Sequence, residues 1–251
     1  MRVQDKSIIV TGGASGIGRA TAELAARQGA RVTISDLSEP AGHQVVEQIR
    51  SAGGTVQFQR ADVSNEADVI ALVAAAVRQY GRLDGAFNNA GRPNIGKLLH
   101  ELSLEEFEKV QAVNVRGVFL CMKYQIPAML KGGGGAIVNT ASAASLIAFP
   151  LAADYVASKH AVLGLTRAAA LDYAAQNIRV NAVQPGTIRT PMLDGLFAAS
   201  PESEQFLVAR TPMGRLGKPE EIAEGVVWLL SDKASYVTAT GLSIDGAYTA
   251  T

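Results

Sequence analysis

Tyr155 and Lys159, one helical turn apart, are the residues of this chain best suited to move a proton. They lie in 154–175, a run of mostly Ala, Leu and Val without proline or turn signals, which predicts a helix. Positions four apart share a helix face, so the two side chains point the same way, about 5–6 Å apart. A phenol ionises near pH 10 and is a poor base at neutrality. A neighbouring ammonium favours the phenolate and brings it toward the range of general acid–base catalysis. Ser142, thirteen residues earlier, adds a hydroxyl just past a predicted strand at 136–140. Taken alone, the Tyr-x-x-x-Lys spacing is also that of an ordinary surface pair, so the rest of the chain must decide.

The second constellation is a phosphate cradle. Thr11-Gly12-Gly13-Ala14-Ser15-Gly16-Ile17-Gly18 stands between a β-branched run at 7–10 and an apolar-periodic stretch at 19–28. Strand, glycine turn and helix in that order let the backbone approach a pyrophosphate at a helix N-terminus. The spacing is G-x-x-x-G-x-G, not the more familiar G-x-G-x-x-G. Asp36 ends the next predicted strand, 31–35, eighteen residues after Gly18. A carboxylate there accepts from ribose hydroxyls and repels a 2′-phosphate. Leu37 follows it, and Ser15 rather than a basic residue lies inside the turn. This reading favours NAD(H) over NADP(H).

These candidates need a scaffold. Predicted strands at 7–10, 31–35, 55–59, 83–87, 136–140, 178–183 and 241–245 alternate with predicted helices at 19–28, 40–52, 65–80, 103–130, 154–175 and 219–230. Such alternation argues for an α/β fold: one Rossmann-type domain over 1–251, with seven parallel strands and helices on both faces. Ligands of such sheets bind beyond the carboxyl ends of the strands. Asp62 and Val63, Asn88-Asn89-Ala90-Gly91, and Pro185-Gly186 followed by Ile188 and Thr190 all fall at such ends. Asn114 is out of place by propensity inside an apolar helix, so it is either a packing residue or one with a specific task. From 191 to 216 the pattern is irregular yet apolar, which suggests a lid at about 187–216.

Composition narrows the partners. The chain has 251 residues, 48% hydrophobic and 18% charged, with 23 basic and 23 acidic side chains. Zero formal charge and no long basic run argue against nucleic acid. The single Cys121 excludes an intrachain disulfide and a Cys-rich metal site, and its apolar surroundings suggest an inert thiol. His43, His100 and His160 are scattered, so no metal is expected. No signal peptide or membrane span is visible, and the cytoplasm is the expected compartment.

TGGASGIG, NNAG, Asn114, Ser142, Tyr155 with Lys159, and Pro185-Gly186 occur in the order and spacing of the classical short-chain dehydrogenase/reductase family, which the chain resembles over nearly its full length. The resemblance implies an oxidoreductase acting on an alcohol or ketone, with NAD as cofactor. It implies Tyr155 as general acid/base, and Lys159 as the group that lowers its pKa and binds the nicotinamide ribose. Ser142 would bond the substrate oxygen, and Asn114 would hold a water relay to Lys159. Gly12, Ser15, Gly16, Ile17 and Gly18 would cradle the pyrophosphate, Asp36 the adenosine ribose, and Asp62 and Val63 the adenine. Asn89, Ala90 and Gly91 would line the cofactor cleft, with Asn88 on its ribose side. Pro185, Gly186, Ile188 and Thr190 would flank the carboxamide. It also implies a homotetramer built through 103–130 and 152–175. Segments such as FNNAG, IVNTASA and KHAVLGLTRAAALDY are similar to those of bacterial NAD-dependent dehydrogenases of cyclic secondary alcohols and diols. Leu146, Ile147, Phe149, Leu151, Met192 and Phe197 point to an apolar substrate. An NADPH-type 3-ketoacyl-thioester reductase is the nearest enzymatic alternative. A non-catalytic NAD(H)-binding regulator is the alternative of another class.

Overall fold

The computed structural model describes residues 2–250. Its sheet has seven strands: β1 (Ser7–Thr11), β2 (Arg31–Asp36), β3 (Thr55–Arg60), β4 (Gly85–Asn88), β5 (Gly135–Thr140), β6 (Ile178–Pro185) and β7 (Gly241–Ile244). Every neighbouring pair is parallel, in the order β3-β2-β1-β4-β5-β6-β7. The helices are α1 (Gly16–Arg27), α2 (Glu39–Ser51), α3 (Glu66–Tyr80), α4 (Leu104–Gln111), α5 (Gly117–Lys131), α6 (Ala153–Tyr173), α7 (Pro191–Ala199), α8 (Pro201–Ala209) and α9 (Pro219–Leu230).

Parallel strands buried on both faces read as nearly continuous apolar runs, and Ile8, Ile9 and Val10 are all fully buried. One face packs against α1, α2 and α9 through Leu24, Val45, Ile222 and Val226. The other packs against α3, α5 and α6 through Leu72, Met122 and Val162. Each such aliphatic side chain contributes about 1.5–3 kcal/mol of burial. Helix ends are set locally. Asn65 accepts from the N–H groups of Ala67 and Asp68, and Gly81 closes α3 at φ 78°. Ser103 and Glu106 form a reciprocal capping box at α4.

Three boundaries differ from the sequence reading. β4 starts at Gly85, because Asp84 instead ties off β1 by accepting from the Ser7 N–H at 2.8 Å. The helical run from 104 to 131 is interrupted by a π-helical segment, Ala112–Arg116, which contains Asn114. The irregular stretch after Thr190 contains two short helices, α7 and α8, each opening on a proline. Among the described residues, no helix is long and apolar enough to cross a membrane.

The chain crosses from β3, at one edge, to β4 beside β1. This reversal opens a crevice beyond the carboxyl ends of β1 and β4.

Candidate active site

The glycine turn leaves β1 and enters α1 at the crevice. Gly12 has φ +63° and Gly16 φ +51°, the left-handed region that glycine adopts without strain. The turn also has no room for side chains: a Cβ at Gly18 would lie 2.1 Å from the Gly12 carbonyl oxygen. Ser15 is the N-cap of α1, but its side chain makes no capping bond, and the first turn of α1 has no acid. The N–H groups at this helix start are therefore suited to an anion. Ile17 packs its side chain onto the core beneath.

Asp36 ends β2 beside this turn. Its Oδ2 accepts from the Ala14 N–H at 3.1 Å and its Oδ1 from the Ser38 N–H at 3.2 Å. Past β3, Asp62 Oδ1 accepts from both the N–H and the hydroxyl of Ser64, which fixes the turn. Val63 is buried against Gly117, where a Cβ would meet Val63 Cγ2 at 2.8 Å.

At the end of β4 the two asparagines separate. Asn89 donates from Nδ2 to the carbonyls of Thr11 and Gly12 at 3.1 and 3.2 Å. The Thr11 hydroxyl accepts from the N–H groups of Asn89 and Ala90. These bonds lock the NNAG loop onto the glycine turn. Asn88 is 2% exposed and faces the core, in a correction to its expected place beside the cofactor. Its Nδ2 donates to Asn139 and Gln125, and its Oδ1 accepts from Gln125 Nε2. The Asn88 side chain is thus committed to the core, while that of Asn89, just past the strand, is committed to the glycine turn.

The residues expected to do chemistry converge past β5. Tyr155 and Lys159 lie in the first two turns of α6. Lys159 Nζ donates to the Thr140 carbonyl at 2.8 Å and lies 5.4 Å from the centroid of the Tyr155 ring. Ser142 lies close enough to Tyr155 to favour its phenolate, and its Oγ accepts from the Ala144 N–H at 3.1 Å. Burial pushes the Lys159 ammonium down to about 8. Burial also pushes the Tyr155 phenol above its ordinary value, and the nearby Ser142 hydroxyl opposes this only in part. Desolvation is the larger influence on the phenol, and Lys159 is not among the groups that shift it here. A Cβ at Gly91 would lie 3.8 Å from Lys159 Nζ and 3.4 Å from Asn114 Oδ1, so the NNAG loop and these side chains enclose one space. Asn114 Oδ1 accepts from the Arg92 N–H at 2.7 Å, while Nδ2 donates to the Arg92 carbonyl and to Ser158 Oγ. Its amide thus clamps a loop.

Beyond β6, Gly186 packs on Asp245, where a Cβ would lie 2.7 Å from the Asp245 Cα. Pro185 is buried, and Ile188 is 6% exposed and bridges to Gly217. Thr190 Cγ2 would lie 3.2 Å from a Cβ at Gly16, so the base of α7 rests on the glycine turn. Cys121 is buried, and burial pushes its thiol up to about 12, as an inert thiol requires. Among the described residues, no group of three or more His, Cys, Asp or Glu could hold a metal ion.

Two further residues shape the site: Thr11, whose hydroxyl organises the NNAG loop, and Thr140, whose carbonyl holds Lys159. A threonine closing a strand at a glycine turn was a usable signal for the first. A backbone carbonyl leaves no trace in residue type, so the second had none.

The family model described as enoyl-(acyl carrier protein) reductase matches residues 12–249. The 2,5-dichloro-2,5-cyclohexadiene-1,4-diol dehydrogenase of Sphingobium indicum is 51% identical over 98% of this chain and 97% of its own length. The cyclohexanol dehydrogenase of an Acinetobacter strain is 46% identical over 99% of this chain and 96% of its own. The crystal structure of levodione reductase superposes with a TM-score of 0.96 at 38% identity, over 99% of each chain. With such matches running nearly end to end, the chain belongs to the short-chain dehydrogenase/reductase family and is an oxidoreductase.

Proposed function

We propose that this protein is an NAD(H)-dependent dehydrogenase that interconverts an apolar secondary alcohol, cyclic in its natural substrate, with the corresponding ketone. The observation that carries the reading is the convergence of Ser142, Tyr155 and Lys159 on the space bounded by Gly91 and the glycine turn. Relatives named for cyclohexanol, cyclopentanol and a cyclohexadiene-diol support the cyclic substrate.

NAD+, when bound, would supply the hydride acceptor. Gly12, Ser15, Gly16, Ile17 and Gly18 would hold its pyrophosphate, Asp36 its adenosine ribose, Asp62 and Val63 its adenine. Asn89, Ala90, Gly91, Pro185, Gly186, Ile188 and Thr190 would line the rest of its path. The Gly18–Gly12 approach, which excludes any Cβ, and the uncapped start of α1 fit such a group. In oxidation Tyr155 takes the hydroxyl proton while Ser142 orients the substrate oxygen. In reduction Tyr155 returns the proton. Lys159 holds positive charge near the phenol and favours its anion. Asn114 positions the 91–92 loop through its amide, and a relay water would sit between its helix and Lys159.

Asp36 supports NAD(H) over NADP(H), since its carboxylate would repel a 2′-phosphate. Arg60 is in register with Asp36 on β3, but its guanidinium is drawn toward Glu39 at 3.9 Å and Asp68 at 3.7 Å. This disfavours the 3-ketoacyl-thioester reductase reading with NADPH. The segment 187–216, with α7 and α8, would act as the lid of one catalytic domain. Leu104, Phe119 and Leu171 stay exposed on α4, α5 and α6, which fits burial between the subunits of a homotetramer. We assign the protein to the cytoplasm, in keeping with its single thiol. Steady-state rates with cyclohexanol and cyclopentanol test the reading; failure to reduce NAD+ with any cyclic alcohol would remove it.

A further inference from the structure

Asp154 is 0% exposed, one residue before Tyr155. A carboxylate is costly to bury unless its oxygens are hydrogen-bonded. Its Oδ1 accepts from the Tyr155 N–H at 2.8 Å, and its Oδ2 accepts from the Ile95 N–H at 3.0 Å. Its backbone carbonyl accepts from Gln111 Nε2 at 2.8 Å, at the end of α4. The other side of Tyr155 is held as well, because its carbonyl accepts from the Ser158 hydroxyl at 2.7 Å. Ser158 Oγ in turn accepts from Asn114 Nδ2 at 3.1 Å, and Asn114 grips both backbone groups of Arg92. Arg92 and Ile95 belong to one short loop. The bonds therefore close a circuit: Arg92, Asn114, Ser158, Tyr155, Asp154, Ile95, and back to Arg92 along the chain.

A helix cap alone would explain one of the Asp154 bonds. It does not explain the second oxygen, which is committed to a loop 59 residues away in sequence. That loop continues from Gly91, beside Lys159 Nζ. We infer that Asp154 is a positioning residue of the reaction, coupling the 92–95 loop to the backbone of Tyr155 and so holding the phenol in register with Ser142 and Lys159. The inference rests on the reading of Tyr155 as the general acid/base.

The test uses the full chain with cyclohexanol and NAD+, and NADH binding read by fluorescence. Asp154→Ala, Asp154→Asn, Ser158→Ala, the double variant Asp154→Asn/Ser158→Ala and the reference Tyr155→Phe are compared. Asp154→Asn keeps the volume and one acceptor oxygen, so the test survives if Asp154→Ala fails to fold. A misplaced reacting group costs up to about 100-fold, so kcat is expected to fall about 10–100-fold in Asp154→Ala and less in Asp154→Asn. The KM for alcohol and the NADH affinity are expected to stay close to wild type, a split that general loosening of the fold would not give. The double variant should lose less than the product of the single losses, because members of one network are not additive. Wild-type kcat in both Asp154→Asn and Ser158→Ala, or losses confined to KM, or losses that multiply, would each overturn the inference. Turnover retained by Tyr155→Phe would overturn the reading of Tyr155 and the inference with it.

Discussion

Lys159 is moored to Thr140: its Nζ donates to that carbonyl at 2.8 Å, at the end of β5, and passes over the face of the Tyr155 ring. The ammonium is thus held by backbone at a strand end. It is also almost wholly enclosed, at 4% exposure, and burial pushes it down to about 8 from an ordinary 10.5. Folding disfavours its proton. The Lys159 contribution to stability is therefore present above about pH 10.5 and is lost as pH falls through about 8. Lys159→Met, free of this penalty, should gain stability relative to wild type at pH 7, and that gain should shrink as pH rises from 8 toward 10. Thermal unfolding of both proteins without cofactor across pH 7–10 checks it; a gap that widens with pH would contradict it.

Tyr155→Phe removes one oxygen and leaves the crevice intact. NADH binding, measured by fluorescence, should stay near wild type, while turnover falls by at least the 10²–10⁴-fold, roughly, that a general acid/base supplies. An active Tyr155→Phe enzyme would take the phenol out of the mechanism.

Asp36→Ala should raise the KM for NAD+ about tenfold or more, since a hydrogen bond to a charged group is worth about 1.5–3 kcal/mol. The same change should lower the KM for NADP+, because the repelling carboxylate is gone. Cofactor KM values for both proteins decide this, and an unchanged NAD+ to NADP+ ratio would remove Asp36 from cofactor choice.

Cys121 lies 1% exposed in α5, and burial alone pushes its thiol up to about 12. The thiolate is the reactive form, so almost none exists at pH 8. The native protein should resist a thiol reagent at that pH, and one equivalent should react after denaturation. Rapid modification of the native protein would show that α5 opens.

Much of this molecule is legible in its residues, for physical reasons. Buried parallel strands must be apolar, and glycine turns must be glycine, so the seven strands and the cradle at Gly12–Gly18 leave strong marks, while the order of the strands in the sheet does not. Tyr155 and Lys159 are readable because a helix fixes the geometry of positions four apart. Legibility ends where meaning depends on partners remote in sequence. Asn88 and Asn89 look equivalent as letters, yet the fold sends one to Gln125 and Asn139 and the other to the glycine turn. Asn114 is out of place in a regular helix, and the structure answers with a π-helical segment there, but nothing in the residue type names Arg92 as its partner. Asp154 reads as an ordinary acid in a first helical turn; only the fold brings Ile95 to its second oxygen. The segment at 191–209 lacks a clean apolar stripe, so its two short helices leave little mark in the residue pattern.

The most direct test of the account is a set of initial rates with wild-type protein, NAD+ against NADP+, on cyclohexanol, cyclopentanol and linear secondary alcohols, followed at the NADH absorbance. The account predicts turnover of the cyclic alcohols with a strong preference for NAD+. Preference for NADP+ would contradict the role given to Asp36, and measurable NADH binding without turnover of any alcohol would contradict the dehydrogenase itself.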